Sequence, residues 1–400
     1  MFFQAPKRKT RHLPKLYCLT LALLTSLSVQ TVSAGTLDNL PIFDGVDLDQ
    51  IEANNPGAPR VDIQYLGVGG YLIKWGEDEI MFAPSYSNPG PINLLLNTRP
   101  NKSIIDRMIP DVSDVDMILV GHSHYDHLLD VPYIMEKYAK NAVVYGSKTM
   151  KHLIASEVDE SKIHIMNDDA GSYEQAGNWV YNPSGKIRIM ALKSDHAPNA
   201  TLFKGVIKAA DGSIIDEIDW LFEISPGGLE EDLNALPTSA FFWKEGQSFA
   251  YLVDFLDDSG NVAFRFHYED AASTPNRGFV PESVLAEKEV DMAILTVANF
   301  NEIKMPADVD AENPDNQILL YPQSIINNLQ ASHYVLGHWE NFFGNNYTYP
   351  WPFHKFNILP LSVVPLTNAQ NFIDRMTTAA PEAGFTMPKP GAQMSFIISE

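Results

Sequence analysis

Cysteine is almost missing from this chain. Cys18 is the only one in 400 residues, so no disulfide can form within the chain, and a metal held by the remainder must take nitrogen and oxygen ligands. Basic residues are also scarce, 28 Lys and Arg against 50 Asp and Glu, for a net charge of −22. A body this acidic repels polyphosphate backbones, which argues against nucleic acid as substrate or partner. Acids in turn are missing before Asp38. No repeat at a fixed period, no low-complexity tract and no apolar run of the ~20 residues that a membrane-spanning helix needs occur along the chain. Fibrous, collagenous, disordered and membrane-spanning classes are thereby set aside, and 45% apolar residues suffice for a large buried core.

The acid-free beginning has an order of its own. Lys7, Arg8, Lys9, Arg11 and Lys15 precede an apolar run from Leu16 to about Val29, and Val32-Ser33-Ala34 follow. This is the layout of a secretory signal peptide, with cleavage expected before Gly35. Residues 1–34 are therefore read as a leader and the protein as periplasmic or secreted, with no membrane span after cleavage. Removal takes away Cys18 and five basic residues, leaving 23 against 50 acids and a net charge of −27.

Residues 35–60 read as a polar lead-in, and 61–400 as one catalytic domain. Short apolar runs punctuated by Gly and Pro predict strands at 61–66, 70–75, 79–83, 115–120, 142–145 and 186–192, and again at 239–243, 249–255, 262–268, 290–297, 332–337 and 394–398. Helical spacing predicts helices at 130–140, 148–156, 281–288, 321–330 and 369–379. Strands outnumber helices while helices recur between them, which points to packed sheets flanked by helices. Residues 204–237 are acidic, rich in Gly and Pro, and read as an insertion that can serve as a lid or a contact surface.

Only 11 histidines occur, yet three fall within six residues, in His122-Ser123-His124-Tyr125-Asp126-His127. The cluster follows the buried-strand pattern of Val115–Val120 directly, where side chains emerge into a cleft. Residues two apart on an extended segment share a face, so His122 and His124 can reach one metal together. Asp126 and His127 lie just beyond and can serve a second. Imidazole with carboxylate suits zinc, manganese or iron.

This run resembles the His-x-His-x-Asp-His signature of the metallo-β-lactamase superfamily, and Tyr65-Leu66-Gly67-Val68-Gly69-Gly70-Tyr71-Leu72-Ile73 is similar to its opening hairpin. The likeness is closest to the branch of ascorbate-6-phosphate lactonase and N-acyl-phosphatidylethanolamine phospholipase D. It covers about residues 61–355 apart from the insertion. It implies an α/β (α+β) fold, an αββα sandwich of two packed mixed sheets, with a two-metal site between the sheet edges. On the same grounds it implies that His122, His124 and His196 hold one metal and that Asp126, His127 and His338 hold the other. Asp270 and a water would bridge them. Asp254 competes with Asp270 for the bridging role, and His333 competes with His338. Asp126 would also orient the attacking hydroxide. Many relatives carry Asp-Pro after the early strand, where this chain has Ala83-Pro84, so a carboxylate that supports the ligands is missing there.

The function expected is hydrolysis of an ester-type bond, with phosphodiester or lactone ahead of β-lactam, by hydroxide at two divalent ions, zinc first and Mn2+ or Fe2+ as alternatives. Aromatic residues from Trp339 to Phe356 can form an apolar wall for a small-molecule substrate, or simply pack; His354 can contact a phosphate or lie exposed, and Tyr125 can polarise a substrate oxygen or fill space. The competing classes are a mononuclear iron oxidoreductase acting on sulfur species and a non-catalytic binding protein stabilised by metal.

Overall fold

The computed structural model describes residues 41–89, 91–196, 227–271, 274–297, 321–339 and 366–398. The expected leader, residues 204–226 of the insertion, and the aromatic stretch beyond Trp339, including His354, lie outside the described residues. Among the described residues no helix is long and apolar enough to cross a membrane.

The described part of the lead-in, residues 41–60, belongs to the fold. It supplies β1 (Ile42–Phe43) and α1 (Leu48–Asn54), the latter capped by Asp47, whose side chain accepts from the amides of Asp49 and Gln50. A meander follows, β2 (Arg60–Gly67), β3 (Gly70–Trp75) and β4 (Asp78–Phe82). Helices α2 (Pro91–Leu96) and α3 (Lys102–Met108) lead to β5 (Val115–Leu119). The histidine run occupies the turn after β5 and the short α4 (Tyr125–Leu128), with α5 (Val131–Lys137) behind it. Then come β6 (Val143–Gly146), α6 (Lys148–Ile154), β7 (Ile163–Ile165), β8 (Val180–Tyr181) and β9 (Ile187–Ser194). The hairpin β10 (Ser248–Leu256) and β11 (Val262–Glu269) precedes α7 (Glu282–Leu285) and β12 (Met292–Thr296). The chain closes with α8 (Gln323–Leu329), β13 (His333–Gly337), α9 (Leu366–Ala379), β14 (Gly384–Pro388) and β15 (Gln393–Ile397).

Two mixed sheets result. One has the order β15-β2-β3-β4-β5-β6-β7 and the other β1-β14-β13-β12-β11-β10-β9-β8. Alternation along the strands decides which layer each side chain joins. Tyr71 and Ile73 of β3, and Met117 and Leu119 of β5, enter the core between the sheets with Ile189, Tyr251, Phe266 and Ile294. Their neighbours Leu72 and Ile118 face the other way, into a second core with Ile105, Ile134 and Leu153 of α3, α5 and α6. This is the α+β sandwich, two mixed sheets flanked by helices, that the order of elements leads one to expect.

The segment 239–243, expected as a strand, is instead a single 3-10 turn, Ala240–Phe242. Its apolar run serves burial of Trp243, whose Nε1 donates to the Pro237 carbonyl at 3.0 Å. Short apolar runs carry no information on period, so such a turn reads as a strand. The described end of the insertion lies along α6, where Lys151 pairs with Asp232 and the amide of Leu233 donates to the His152 carbonyl.

Direction matters more for the site than strand count. β9 and β11 both run antiparallel to β10, and β11, β12 and β13 are mutually parallel. The C-terminal ends of β9, β11 and β13 therefore share one edge of the eight-stranded sheet. The end of β5 is tied to that edge from the other sheet: Tyr251 Oη donates to the Val120 carbonyl at 3.0 Å and the amide of Phe249 to the Gly121 carbonyl at 2.8 Å.

Two of the residues left open by sequence are structural. Asp254, fully buried in β10, accepts from Arg265 Nε at 2.6 Å and Nη2 at 2.8 Å and from Arg188 Nε at 2.9 Å. His333 lies within β13, its ring 2.8 Å from the Thr386 hydroxyl and edge-on to Phe396. Removing the Asp254 carboxylate leaves buried Arg265 without its counter-charge. Asp254→Ala should therefore cost about 3–5 kcal/mol in urea unfolding while leaving metal content per folded molecule unchanged; lost metal at unchanged stability would return Asp254 to the site. Burial pushes both His267 and His333 down from 6.5 to about 4. The unfolded chain then binds protons that these rings refuse, so their contribution to stability is complete above about 6.5 and lost as pH falls towards 4. A His267→Gln, His333→Gln variant should show a flatter urea midpoint than the parent between pH 6.5 and 4.5, and equal slopes would contradict this.

Candidate metal centre

Four strand ends deliver the seven candidate residues. His122 and His124 lie in the turn after β5, and Asp126 and His127 on α4. His196 stands two residues beyond β9, Asp270 immediately beyond β11, and His338 immediately beyond β13. The structure brings them together as three overlapping trios of ligand atoms: His122 with His124 and His196, Asp126 with His127 and His338, and His122 with His127 and Asp270. Ring centroids of His122 lie 4.8 Å from His124, 4.5 Å from His196 and 4.2 Å from His127. Those of His127 and His338 are 5.3 Å apart.

Local backbone geometry sets several of these positions. His338 has φ +57°, a left-handed conformation that a residue other than glycine rarely adopts. It is held there because its amide donates to the Val68 carbonyl at 2.8 Å, across to the β2–β3 turn. Strain of this kind persists where the surroundings over-determine it. From that position His338 Nε2 lies 3.3 Å from Asp126 Oδ2, and His127 Nε2 lies 3.6 Å from the same oxygen.

Asp270 sits beneath the cluster and is 2% exposed. Its Oδ2 accepts the amide proton of His122 at 3.0 Å and lies 2.8 Å from His122 Nδ1. Its Oδ1 lies 2.9 Å from His127 Nδ1 and accepts from Tyr268 Oη at 2.6 Å. Two glycines make room for it. A Cβ on Gly121 would stand 2.3 Å from Asp270 Cβ, and one on Gly69 would meet His127 Nδ1 at 2.7 Å and Asp270 Oδ1 at 2.8 Å. Beside it, Ser194 Oγ donates to Glu269 Oε1 at 2.9 Å, tying β9 to β11 next to the residues that carry His196 and Asp270. Tyr268, Gly69 and Gly121 were not singled out from the sequence. Tyr268 carried a signal, since residues two apart on β11 share a face and Asp270 follows at that spacing.

Electrostatics favours a neutral His124 and ionised Asp126 and Asp270. Burial, reinforced by the neighbouring rings of His196 and His122, holds His124 well below 6.5. Burial alone would raise Asp126, but His127 and His338 outweigh it and hold the carboxyl below its ordinary range. Asp270 likewise feels burial raising it and the stronger effect of His127 and His122 lowering it. Nitrogen lone pairs and carboxylate oxygens are what a divalent ion requires. Moreover, the Nε2 atoms of His122 and His124 are buried and have no hydrogen-bond partner. A buried ring nitrogen without a partner carries a penalty that a metal ion would relieve. The residues therefore fit divalent metal binding.

Ala83 is buried at the end of β4, where its amide donates to the Leu119 carbonyl, so it offers the cluster no carboxylate. Asp130, at the start of α5, ties the same loop down by accepting from the amides of Tyr86 and Ser87 at 2.7 and 2.8 Å. Tyr125 packs in the second core, and Trp339 is fully buried with its Nε1 donating to the Pro388 carbonyl at 2.9 Å. Both serve packing.

Neither a family model nor a curated protein matches the chain. Solved structures do. The chain is similar to a metallo hydrolase of the hyperthermophilic archaeon Ignicoccus hospitalis, at 12% identity and TM-score 0.44, covering 85% of this chain and 100% of that one. It is also similar to a metallo-β-lactamase fold protein of Bacillus subtilis, at 13% identity and TM-score 0.42, covering 84% and 100%. An isothiocyanate hydrolase from Delia radicum gut bacteria is matched at 10% identity and TM-score 0.41, over 84% and 100%. Likenesses this distant decide nothing about the reaction or its substrate.

Gly121→Ala tests how closely the cluster depends on Asp270. The added methyl must displace that side chain, so zinc affinity measured by chelator competition should fall about 10–100-fold, as when a group that orients metal ligands is disturbed. Unchanged affinity in a folded variant would show that the close approach is dispensable.

Proposed function

We propose that this chain is an exported metal-dependent hydrolase of the metallo-β-lactamase superfamily that holds two divalent ions, zinc foremost, and cleaves an ester-type bond. The observation that supports it most is the convergence of two ligand trios, His122/His124/His196 and Asp126/His127/His338, on one sheet edge. Phosphodiester and lactone substrates are favoured through the likeness of the histidine run and opening hairpin to the lactonase and phospholipase D branch. A small uncharged or weakly anionic molecule with an apolar group suits the acidic body better than nucleic acid does.

Divalent ions, when bound, supply a Lewis acid for a substrate oxygen and lower the pKa of water so that it attacks at neutral pH. The chain's own contribution is placement and dryness. His122, His124 and His127 are almost fully buried, which shields them from bulk water. Asp126, its carboxyl held below the ordinary range by His127 and His338 against the effect of burial, presents an acceptor oxygen that would orient the attacking water. No serine or cysteine nucleophile is required.

Metal content of the 35–400 protein, measured by mass spectrometry beside hydrolysis of bis(p-nitrophenyl) phosphate and a lactone panel, tests the proposal. About two ions per chain are expected, falling together with turnover in an Asp126→Ala, His127→Ala variant. Metal-free protein despite supplementation would overturn it. A single iron without hydrolysis would put sulfur oxidation in its place.

A further inference from the structure

We propose that the cavity between the loop after β4 and helices α2 and α3 is a binding site for a small phosphate monoester with a hydroxylated body. The cavity holds about 480 Å3, within the range of roughly 300–1,000 Å3 that small-molecule sites occupy. None of its lining residues belongs to the metal centre. In a chain of 50 acids and 28 bases its wall reverses the local sign, since it carries Arg99 and Lys102 and no Asp or Glu. Among the described residues neither cation forms an ion pair. Asp106, one turn beyond Lys102 on α3, is taken by Lys137 at 2.8 Å and by the hydroxyls of Tyr133 and Tyr138 at 2.8 and 2.7 Å. Lys102 Nζ is left over the Tyr133 ring, 4.5 Å from its centroid, a contact that orients the ammonium without cancelling its charge.

Part of the lining is fixed and part of it is unspent. Ser87 and Asn88 are buried. Ser87 Oγ donates to Asp130 Oδ1 and accepts the Asn101 amide at 2.6 Å, which joins the loop after β4 to the start of α3. Asn88 is bound back to Ser85, its Oδ1 accepting from the hydroxyl at 3.2 Å and its Nδ2 donating to the carbonyl at 3.4 Å. Asn101 spends its side-chain oxygen on the Ile104 amide at 3.3 Å. These residues are held before any ligand arrives, which lowers the ordering cost of binding. Asn93, Asn97, Arg99 and Lys102 are exposed on the same cavity, and among the described residues their side chains make no hydrogen bond. Together they offer a guanidinium with five N–H donors, an ammonium with three, and two amides that both donate and accept. Two positive charges match a phosphate monoester, which carries about −1.5 to −2 at neutral pH. The planar guanidinium can engage two phosphate oxygens at once while the ammonium serves a third as a point charge. Inorganic phosphate would leave most of this volume empty. The amides of Asn93 and Asn97 suit hydroxyl groups, which donate and accept as they do, and so point to a hydroxylated body for the remainder.

Isothermal titration calorimetry of chelator-treated 35–400 protein with ribose 5-phosphate tests the site. Chelation, and an Asp126→Ala, His127→Ala variant run beside it, prevent phosphate held at bound metal from being counted. One equivalent of ribose 5-phosphate should bind in both backgrounds, with inorganic phosphate about tenfold weaker and ribose not binding. Arg99→Ala and Lys102→Ala should each weaken ribose 5-phosphate about tenfold or more, as expected when a hydrogen bond to a charged group is lost, and the double variant should abolish binding. Both side chains are exposed, so urea midpoints should stay where they are. Lys140→Ala removes an exposed cation that is not part of the cavity wall and should leave affinity unchanged. The proposal is overturned if wild type shows no saturable binding, if binding survives the double variant, or if Lys140→Ala weakens it equally, the mark of a general charge effect. Inorganic phosphate binding as tightly as ribose 5-phosphate would overturn the hydroxylated body and leave a site for the free anion only.

Discussion

The cluster of imidazoles depends on two sheets meeting at one edge, and Asp270 is the group through which they meet. It rises from the end of β11 in one sheet and binds the amide and ring of His122, which follows β5 in the other. Sandwich layers normally stay about 10 Å apart because their facing side chains fill the gap. At this edge the gap closes, since Gly121 and Gly69 place no side chain between Asp270 and the opposite main chain. Tyr251 reinforces the join by donating to the Val120 carbonyl across the same boundary, and the Tyr268 hydroxyl lies within hydrogen-bond reach of both the Gly69 carbonyl and Asp270 Oδ1.

Burying so many polar groups together is costly unless each has a partner. The protein meets this unevenly. Asp254 and Arg265 satisfy each other deep in the eight-stranded sheet, and Asp130 is satisfied by the amides of Tyr86 and Ser87. The histidine cluster is left incomplete, with ring nitrogens of His122 and His124 buried and without partners. A divalent ion bound at these ring nitrogens would relieve the cost of burying them without partners. Metal binding to such a site adds to folding stability directly.

The strained position of His338 belongs to the same design. A left-handed histidine costs stability by itself, and its amide bond to Val68 is what fixes it. The reward is that the ring reaches Asp126 from the far end of the chain, so the second trio unites residues more than 200 positions apart. His333, five residues earlier on the regular strand, has ordinary backbone and therefore points into sheet packing.

The sequence by itself determined what local spacing can encode. The run from His122 to His127 follows a buried strand, and strand alternation with a helical turn is enough to place its four ligand-type side chains near one another. The alternating apolar residues of β2 to β5 likewise decide which face of each strand enters which core. Spacing could not choose between Asp254 and Asp270, or between His333 and His338, because in each pair both residues occupy plausible positions on or beside a strand. Only tertiary structure separates them, through Arg265 and Arg188 beside Asp254, through Thr386 beside His333, and through strand directions that bring the ends of β9, β11 and β13 to one edge. The same holds for Gly69 and Gly121, whose importance lies in what approaches them from the other sheet. Contacts between residues some 150 positions apart leave no trace in local periodicity, so their chemistry becomes legible only once the sheets are packed.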